Sequence, residues 1–273
     1  MSTDRVKLKK TIEDESSSST DVGRDARITF VEDNHTYIID GKPNTHTSCT
    51  ALIKLYTTPF NADDIITKMQ ASMKWNSANK YFKMSREEIK QQWSTAGKEA
   101  SSKGTMLHKM IERFYLNGMK LTDDEAEKAN SLKEFELFLM FHNEVASRYK
   151  GYLAVEKKIF CDVNHEKICG TVDMLYSIDD SNKVALVDFK RIKKLDGVGY
   201  KKMKPPLQHM DDCNFNSYSL QLSIYRFILE KYYDLIVMES FILILHPNND
   251  RYFVVALPHL KKEVELLMNV CKS

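Results

Sequence analysis

Residues 168–190 read ICGTVDMLYSIDDSNKVALVDFK, two apolar runs joined by a polar turn. Ile168 to Tyr176 and Val184 to Phe189 have strand composition, and Ser177-Ile178-Asp179-Asp180-Ser181-Asn182 has that of the turn joining them. The two strands are therefore expected side by side. Side chains alternate along a strand, so Asp188 and Lys190 share one face, and a register the turn allows brings Asp173 to the same end of the sheet. Outward from this hairpin, Tyr152 to Phe160 reads as a preceding strand. After it come a long loop, a helix at about Tyr218 to Tyr233, strands Ile236 to Leu245 and Arg251 to Val255, and a final helix from Pro258.

Upstream, the periodicity from about Ser48 to Lys150 is helical, with capping boxes at Ser85-x-x-Glu88 and Thr122-x-x-Glu125. An apolar stripe runs Leu132, Phe135, Phe138, His142, Val145, Tyr149. Ile28 to Glu32 and Thr36 to Asp40 read as a small hairpin whose second strand ends at Gly41-Lys42-Pro43. Residues 1–26 carry the Ser16 to Ser19 run and no aromatic residue, as a flexible tail would. The expected organisation is a tail (1–26) and one domain (27–273), with an N-terminal hairpin and helical portion (27–150) before an α/β core (151–273).

The chemistry concentrates at the hairpin. Asp188 ends the apolar run Val184-Ala185-Leu186-Val187, where a charge is costly unless it coordinates or pairs. Two carboxylates beside a lysine suit phosphodiester hydrolysis. Hard Mg²⁺ prefers oxygen ligands, and the Lys190 ammonium positions water or stabilises developing charge. Gly170 would leave room for a neighbouring chain. As solvent-facing groups, Asp173, Asp188 and Lys190 are expected to contribute little to stability. A surface ion pair and the last exposed step of a hairpin explain a lone D-x-K equally well.

Two further constellations are weaker alone. In Gly104-Thr105-Met106-Leu107-His108-Lys109-Met110-Ile111-Glu112, Thr105 can cap a helix, and His108 and Glu112 lie one turn apart, as a simple helix ion pair also would. Gln221 and Tyr225 are again one turn apart on a helix whose Leu220, Ile224, Phe227 and Ile228 are apolar. The plain reading puts Gln221 on the helix surface and the Tyr225 hydroxyl in water.

Taken in order, G-T-x-x-H-x-x-x-E, the strand glutamate Glu156, G-x-x-D, D-x-K and Q-x-x-x-Y resemble the RecB-like branch of the PD-(D/E)XK nucleases over about residues 90–245. The resemblance implies a restriction-endonuclease-like α/β core, a central mixed β-sheet flanked by helices, with a helical N-terminal portion. It implies that His108, Asp173, Asp188 and the backbone carbonyl of Phe189 bind a divalent metal, Mg²⁺ or Mn²⁺, and that Lys190 is the catalytic lysine. By the same resemblance Glu156 supports the metal site or its waters, Gln221 and Tyr225 line the site and contact DNA, and Glu112 is the least secure of the set. Val172 stands where proline precedes the first aspartate elsewhere in the superfamily. Only Cys213 and the distant Cys271 follow Lys190, so no iron-sulfur cluster is inferred.

The chain's 273 residues are 42% hydrophobic, 29% charged and 10% aromatic, far from disordered or collagen-like compositions. Forty basic against 38 acidic residues give a net charge of +2, so any nucleic-acid footprint must be local. A local one exists: Lys190, Arg191, Lys193, Lys194, Lys201, Lys202 and Lys204 stand against Asp196 alone. Of these, Lys193, Lys194, Lys201 and Lys202 are the expected DNA contacts. Trp93, Tyr81, Phe82, Phe114 and Tyr115 could stack on unpaired bases, though core packing explains most such residues. Ser48-Cys49-Thr50 offers hydroxyls and helix-start amides to a phosphate, and an ordinary N-cap explains it equally well. The five cysteines include no CxxC pair and support neither a disulfide framework nor a zinc ribbon.

With no apolar run long enough for a membrane span and no secretory core, the expected setting is soluble and intracellular, cytoplasmic or nuclear, in a host cell if the chain is viral. The expected activity is metal-dependent DNA exonuclease action in DNA processing, repair or recombination, with DNA as partner and protein partners open. The alternatives are a structure-specific endonuclease and a non-catalytic nucleic-acid-binding protein that keeps the fold.

Overall fold

The computed structural model describes residues 23–122, 132–163 and 166–270. Strands β1 (Ile28–Val31), β2 (Thr36–Ile39) and β3 (Lys42–Pro43) form a small antiparallel sheet. Asp40 and Gly41 both have positive φ, 52° and 71°. Glycine adopts that turn freely and Asp tolerates it, so Lys42 and Pro43 fold back as a third strand instead of ending the second. Residues 23–25 form a helical turn whose Arg24 guanidinium lies 5.0 Å from the ring centroids of both Phe160 and Tyr232. The Ser16 to Ser19 run lies outside the described residues.

Strand β4 (Thr47–Ser48) leads into α1 (Cys49–Tyr56), where Ser48 Oγ accepts from the Ala51 N–H at 3.2 Å, the expected N-cap. Helices α2 (Ala62–Gln70), α3 (Arg86–Leu116) and α4 (Lys133–Glu144) follow. The helical portion is modest, since the α2–α3 connection is built of turns and β4 belongs to the main sheet. The Ser85–Glu88 capping box forms as expected. Thr105, by contrast, caps nothing. It lies inside α3, which runs unbroken from Ser85 through Gly97 and Gly104 because no proline interrupts it and a mid-helix glycine costs only about 1 kcal/mol. The second expected box at Thr122 needs Glu125, which lies outside the described residues.

The main sheet contains β4, β5 (Gly151–Val163), β6 (Glu166–Ser177), β7 (Lys183–Lys190), β8 (Ile236–Ile244) and β9 (Phe253–Ala256). It is mixed: β4 with β6 and β7 with β8 run parallel, and the other pairs are antiparallel. One edge of β6 takes β5 along its length. The other is shared, with β4 at Ile168 and Cys169 and β7 from Met174 to Ser177. Residues 170–173 therefore face a gap between two strands, and the functional side chains gather there.

Helices cover both faces. On one, α1, α5 (Asn214–Tyr232) and α6 (Lys261–Val270) pack Ile53, Leu220, Ile224 and Leu267 against Val172, Leu186 and Ile242. On the other, α4 and the C-terminal half of α3 pack Leu107, Phe114, Phe135 and Phe138 against Met174, Val187 and Leu243. Strand β7 is buried on both sides, which is why its sequence is a continuous apolar run rather than an alternating one. Each such Leu, Ile or Phe contributes roughly 1.5–3 kcal/mol of burial. The architecture is a central mixed sheet flanked by helices. No helix among the described residues is long and apolar enough to cross a membrane. Cys49, Cys161 and Cys169 are buried free thiols, Cys213 is a half-buried one, and Cys271 lies outside the described residues.

Candidate metal centre

Beyond Val187, β7 leaves β6 and continues beside β8 alone, with Asp188, Phe189 and Lys190 opposite Ile242, Leu243 and Ile244. Asp173 bridges the opening: its Oδ2 accepts the Phe189 N–H at 2.7 Å. Helix α3 brings His108 to the same spot, with Nε2 3.2 Å from the Phe189 carbonyl oxygen and Nδ1 3.0 Å from Glu156 Oε1 and 3.7 Å from Asp173 Oδ1. Ligand atoms of His108, Glu156 and Asp173 lie within 4.8 Å of one another, close enough to hold one metal ion.

Glu156 enters this group through an unusual backbone. Its φ of 48° is left-handed, a conformation costing a non-glycine residue about 1–3 kcal/mol. The residue faces Asp173, between the pairs Val155–Met174 and Lys157–Val172. Alternation breaks at the same level, since Val172 and Leu175 both pack beneath α5 whereas Met174 and Tyr176 pack beneath α3. The strain and the broken alternation coincide at two facing carboxylates, as at a site where geometry serves chemistry.

Asp188 does not join that group. Only 2% exposed, it turns toward α5, where Gln221 Nε2 donates to its Oδ1 at 3.1 Å and the Lys190 ammonium lies 2.5 Å from its Oδ2. The expectation that Asp188 and Lys190 share a face is met by their ion pair; Asp188 itself stands outside the His108–Glu156–Asp173 group, and β7 points the Phe189 carbonyl at His108. Gln221 and Tyr225 are both buried, and their amide and hydroxyl lie 3.4 Å apart. They support Asp188 from below. The space at Gly170 is taken by this chain's own Tyr225 ring, 2.5 Å from where a Cβ would stand.

Asp173 is 7% exposed, so neither aspartate is solvent-facing. Burial pushes the Asp188 carboxyl up to about 6 against the pull of Lys190, and it raises Asp173 likewise, opposed by His108. For Lys190, burial disfavours the charge but Asp188 and then Asp173 outweigh it, so the ammonium stays protonated. Burial also works against the His108 cation, yet Asp173 and Glu156 prevail and raise it to about 9. Holding a metal requires His108 to give up that proton.

A cavity of about 620 Å³ opens over His108, Glu156, Phe189 and Lys190. It is walled by Phe30 and His35 of the hairpin, by Gly104 and Thr105 of α3, and by Lys158 and Lys190, with Glu112 also on its lining. Lys109 of α3 pairs with Glu32 across it. The donor set fits a divalent ion: one imidazole, two carboxylates and a backbone carbonyl are mostly hard oxygen ligands with one borderline nitrogen.

Sequence reading missed several participants. Tyr218 lies under Lys190, its ring centroid 5.0 Å from Nζ. Its spacing of three residues before Gln221 places it on the same helix face, a signal available in the sequence. Tyr37 reaches from the hairpin to Thr171, hydroxyl to hydroxyl at 2.9 Å, with no local signal. The basic stretch also divides. Lys193, Lys194, Lys201 and Lys202 are exposed, with Lys194 paired to Asp196 and Lys202 to Asp211. Arg191 is a structural residue, its guanidinium paired with buried Glu134 of α4. Arg191→Ala should therefore destabilise the fold by about 3 kcal/mol or more, because it strands a buried carboxylate, whereas Lys193→Ala should change stability by less than about 0.5 kcal/mol. Urea midpoints of the two variants check this directly.

No family model and no curated protein matches the chain. Among solved structures, it is similar to a "putative exonuclease" from Eubacterium rectale at 9% identity, with TM-score 0.39, covering 61% of this chain and 64% of that one. A second neighbour, SSO0001, shows 12% identity and TM-score 0.27 over 60% of this chain and 69% of the other. The chain thus spans under two thirds of the first neighbour's length.

Proposed function

We propose that this chain is a metal-dependent deoxyribonuclease of the RecB-like PD-(D/E)XK type, acting from DNA ends. The observation that carries the reading is the convergence of His108, Glu156, Asp173 and the Phe189 carbonyl beside the buried Asp188–Lys190 pair, at the floor of an open cavity. His108, Glu156, Asp173 and the Phe189 oxygen would hold a divalent ion, Mg²⁺ or Mn²⁺, which when bound lowers the pKa of water and neutralises phosphate charge. Lys190, kept charged by Asp188, cannot take a proton from attacking water. Its ammonium instead attracts the phosphate and stabilises negative charge developing on its oxygens. Gln221 and Tyr218 hold the Asp188–Lys190 pair in place from α5.

The cavity favours a free end because it is walled by both the hairpin and α3, with the Lys109–Glu32 pair joining the two. Linear DNA should be degraded progressively while covalently closed circles survive. Rapid nicking of circles by the metal-loaded protein, abolished in Lys190→Ala, would support a structure-specific endonuclease instead.

The exposed lysines after the site fit a phosphate track. Neutralising Lys193, Lys194, Lys201 and Lys202 together should weaken DNA binding and flatten its salt dependence, each lost contact removing roughly 0.7–0.9 from the log-log slope. Binding isotherms across a salt series give the slope, and an unchanged slope would place the track elsewhere.

A further inference from the structure

Of the five aromatic residues that the sequence offers as stacking platforms, Phe114 and Tyr115 are buried in the core against α4. The other three, Tyr81, Phe82 and Trp93, join Trp75 and Phe60 on the lobe formed by α2, the turns after it and the start of α3. None of these five rings is buried. They adjoin one another at the surface: Phe60 and Tyr81 each meet Trp93 edge-on, at 5.9 and 5.8 Å between centroids, and Trp75 meets Phe82 at 6.0 Å. Trp93 Nε1 donates to the Tyr81 hydroxyl at 2.7 Å, which fixes both rings without covering them. Phe60 is 71% exposed and Met73 is 98% exposed.

The stretch that carries Trp75, Tyr81 and Phe82 is basic, bounded by Asp63 and Asp64 before it and by Glu87 and Glu88 after it. Residues 65–86 contain Lys68, Lys74, Lys80, Lys83 and Arg86 and no Asp or Glu. Arg86 faces Asp63, 3.8 Å away, but Lys74, Lys80 and Lys83 make no ion pair among the described residues. Lys80 lies over the Tyr81 ring, 4.5 Å from its centroid. Solvent-accessible rings interleaved with uncompensated lysines match a polyanion whose apolar faces are open, and duplex DNA hides those faces in its stack. The lobe and the cavity also share helix α3. Trp93 and His108 are on the same helix α3, fifteen residues and thus about 22 Å apart along its axis.

We propose that this aromatic and basic face of the lobe docks an unpaired DNA strand and leads it along α3 to the metal centre. The proposal rests on the nuclease reading and names the strand state its substrate takes. Both tryptophans of the chain, Trp75 and Trp93, stand on this face, so selectively excited tryptophan emission reports on it.

The test titrates the full chain in EDTA, where no cleavage occurs, with oligothymidylate and with a blunt DNA hairpin. Saturable quenching by oligothymidylate, weak or absent with the blunt hairpin, is expected. Phe60→Ala combined with Lys74→Glu and Lys83→Glu, all surface changes, should raise the oligothymidylate Kd at least about tenfold. Tryptophan emission that ignores oligothymidylate, or that the blunt hairpin quenches equally, overturns the proposal. If emission is unmoved while Mn²⁺-dependent cleavage persists, the docking surface is wrong and the nuclease reading stands. Quenching by oligothymidylate without cleavage under any divalent metal would instead uphold the docking surface and overturn the nuclease reading.

Discussion

Asp173→Asn is expected to lower metal-dependent DNA cleavage by about a thousandfold or more while leaving the protein folded. The loss follows from removing the charge of one of the three side chains that converge on the candidate metal position. Folding survives because the amide oxygen can still accept the Phe189 N–H that Asp173 Oδ2 accepts at 2.7 Å. Asp173→Ala should differ in one respect. It leaves that buried N–H without a partner and should cost about 1–3 kcal/mol of stability besides the activity. Cleavage rates and urea midpoints of the two variants separate the effects, and an Asp173→Asn protein that cuts at the wild-type rate would remove Asp173 from the site.

Lys190→Met should abolish cleavage and, unlike a surface lysine substitution, destabilise the fold by about 3–5 kcal/mol near neutral pH. The reason is Asp188, whose buried Oδ2 depends on the Lys190 ammonium at 2.5 Å. Burial already lifts the Asp188 carboxyl to about 6, and losing its counter-charge lifts it further. A carboxyl raised above its unfolded value binds its proton more tightly in the folded state, so stability rises as pH falls through the folded pKa. The deficit of Lys190→Met should accordingly be largest at about pH 8 and shrink toward about pH 5. Adding Asp188→Asn should restore stability at both pH values without restoring cleavage. A pH-independent deficit would show that Asp188 is not the stranded group.

What the sequence discloses about this site follows its physical range. The Val184–Val187 run announces a strand buried on both faces, and the two-residue spacing of Asp188 and Lys190 puts them together, because strand alternation is local. The turn at residues 177–182 places Asp173 near them for the same reason. No local pattern could bring His108 from a helix some eighty residues away, and only the order of motifs suggests it. The direction of the Asp188 side chain escapes the sequence because it depends on where β7 parts from β6, a tertiary event. Thr105 looks like a cap since a Gly-Thr step usually interrupts a helix, yet the start of α3 is fixed twenty residues earlier by Ser85 and Glu88. Arg191 reads only as one more charge of the basic stretch because Glu134, its partner, is 57 residues distant.

The expected solvent exposure of the acidic pair fails on similar grounds. Asp173 and Asp188 end or interrupt apolar strands, and α5 closes over them with Gln221 and Tyr225. Polar residues on a helix that reads as amphipathic look like its wet face, but here they serve a buried charge instead.

If His108, Glu156 and Asp173 hold the ion on which cleavage depends, losing one of them must weaken metal binding itself. Electron paramagnetic resonance of free Mn²⁺ during titration of the wild-type protein and of Asp173→Asn tests this most directly. Binding of Mn²⁺ by the wild type that is lost or greatly weakened in Asp173→Asn is the predicted result; equal Mn²⁺ binding by the two proteins would contradict it.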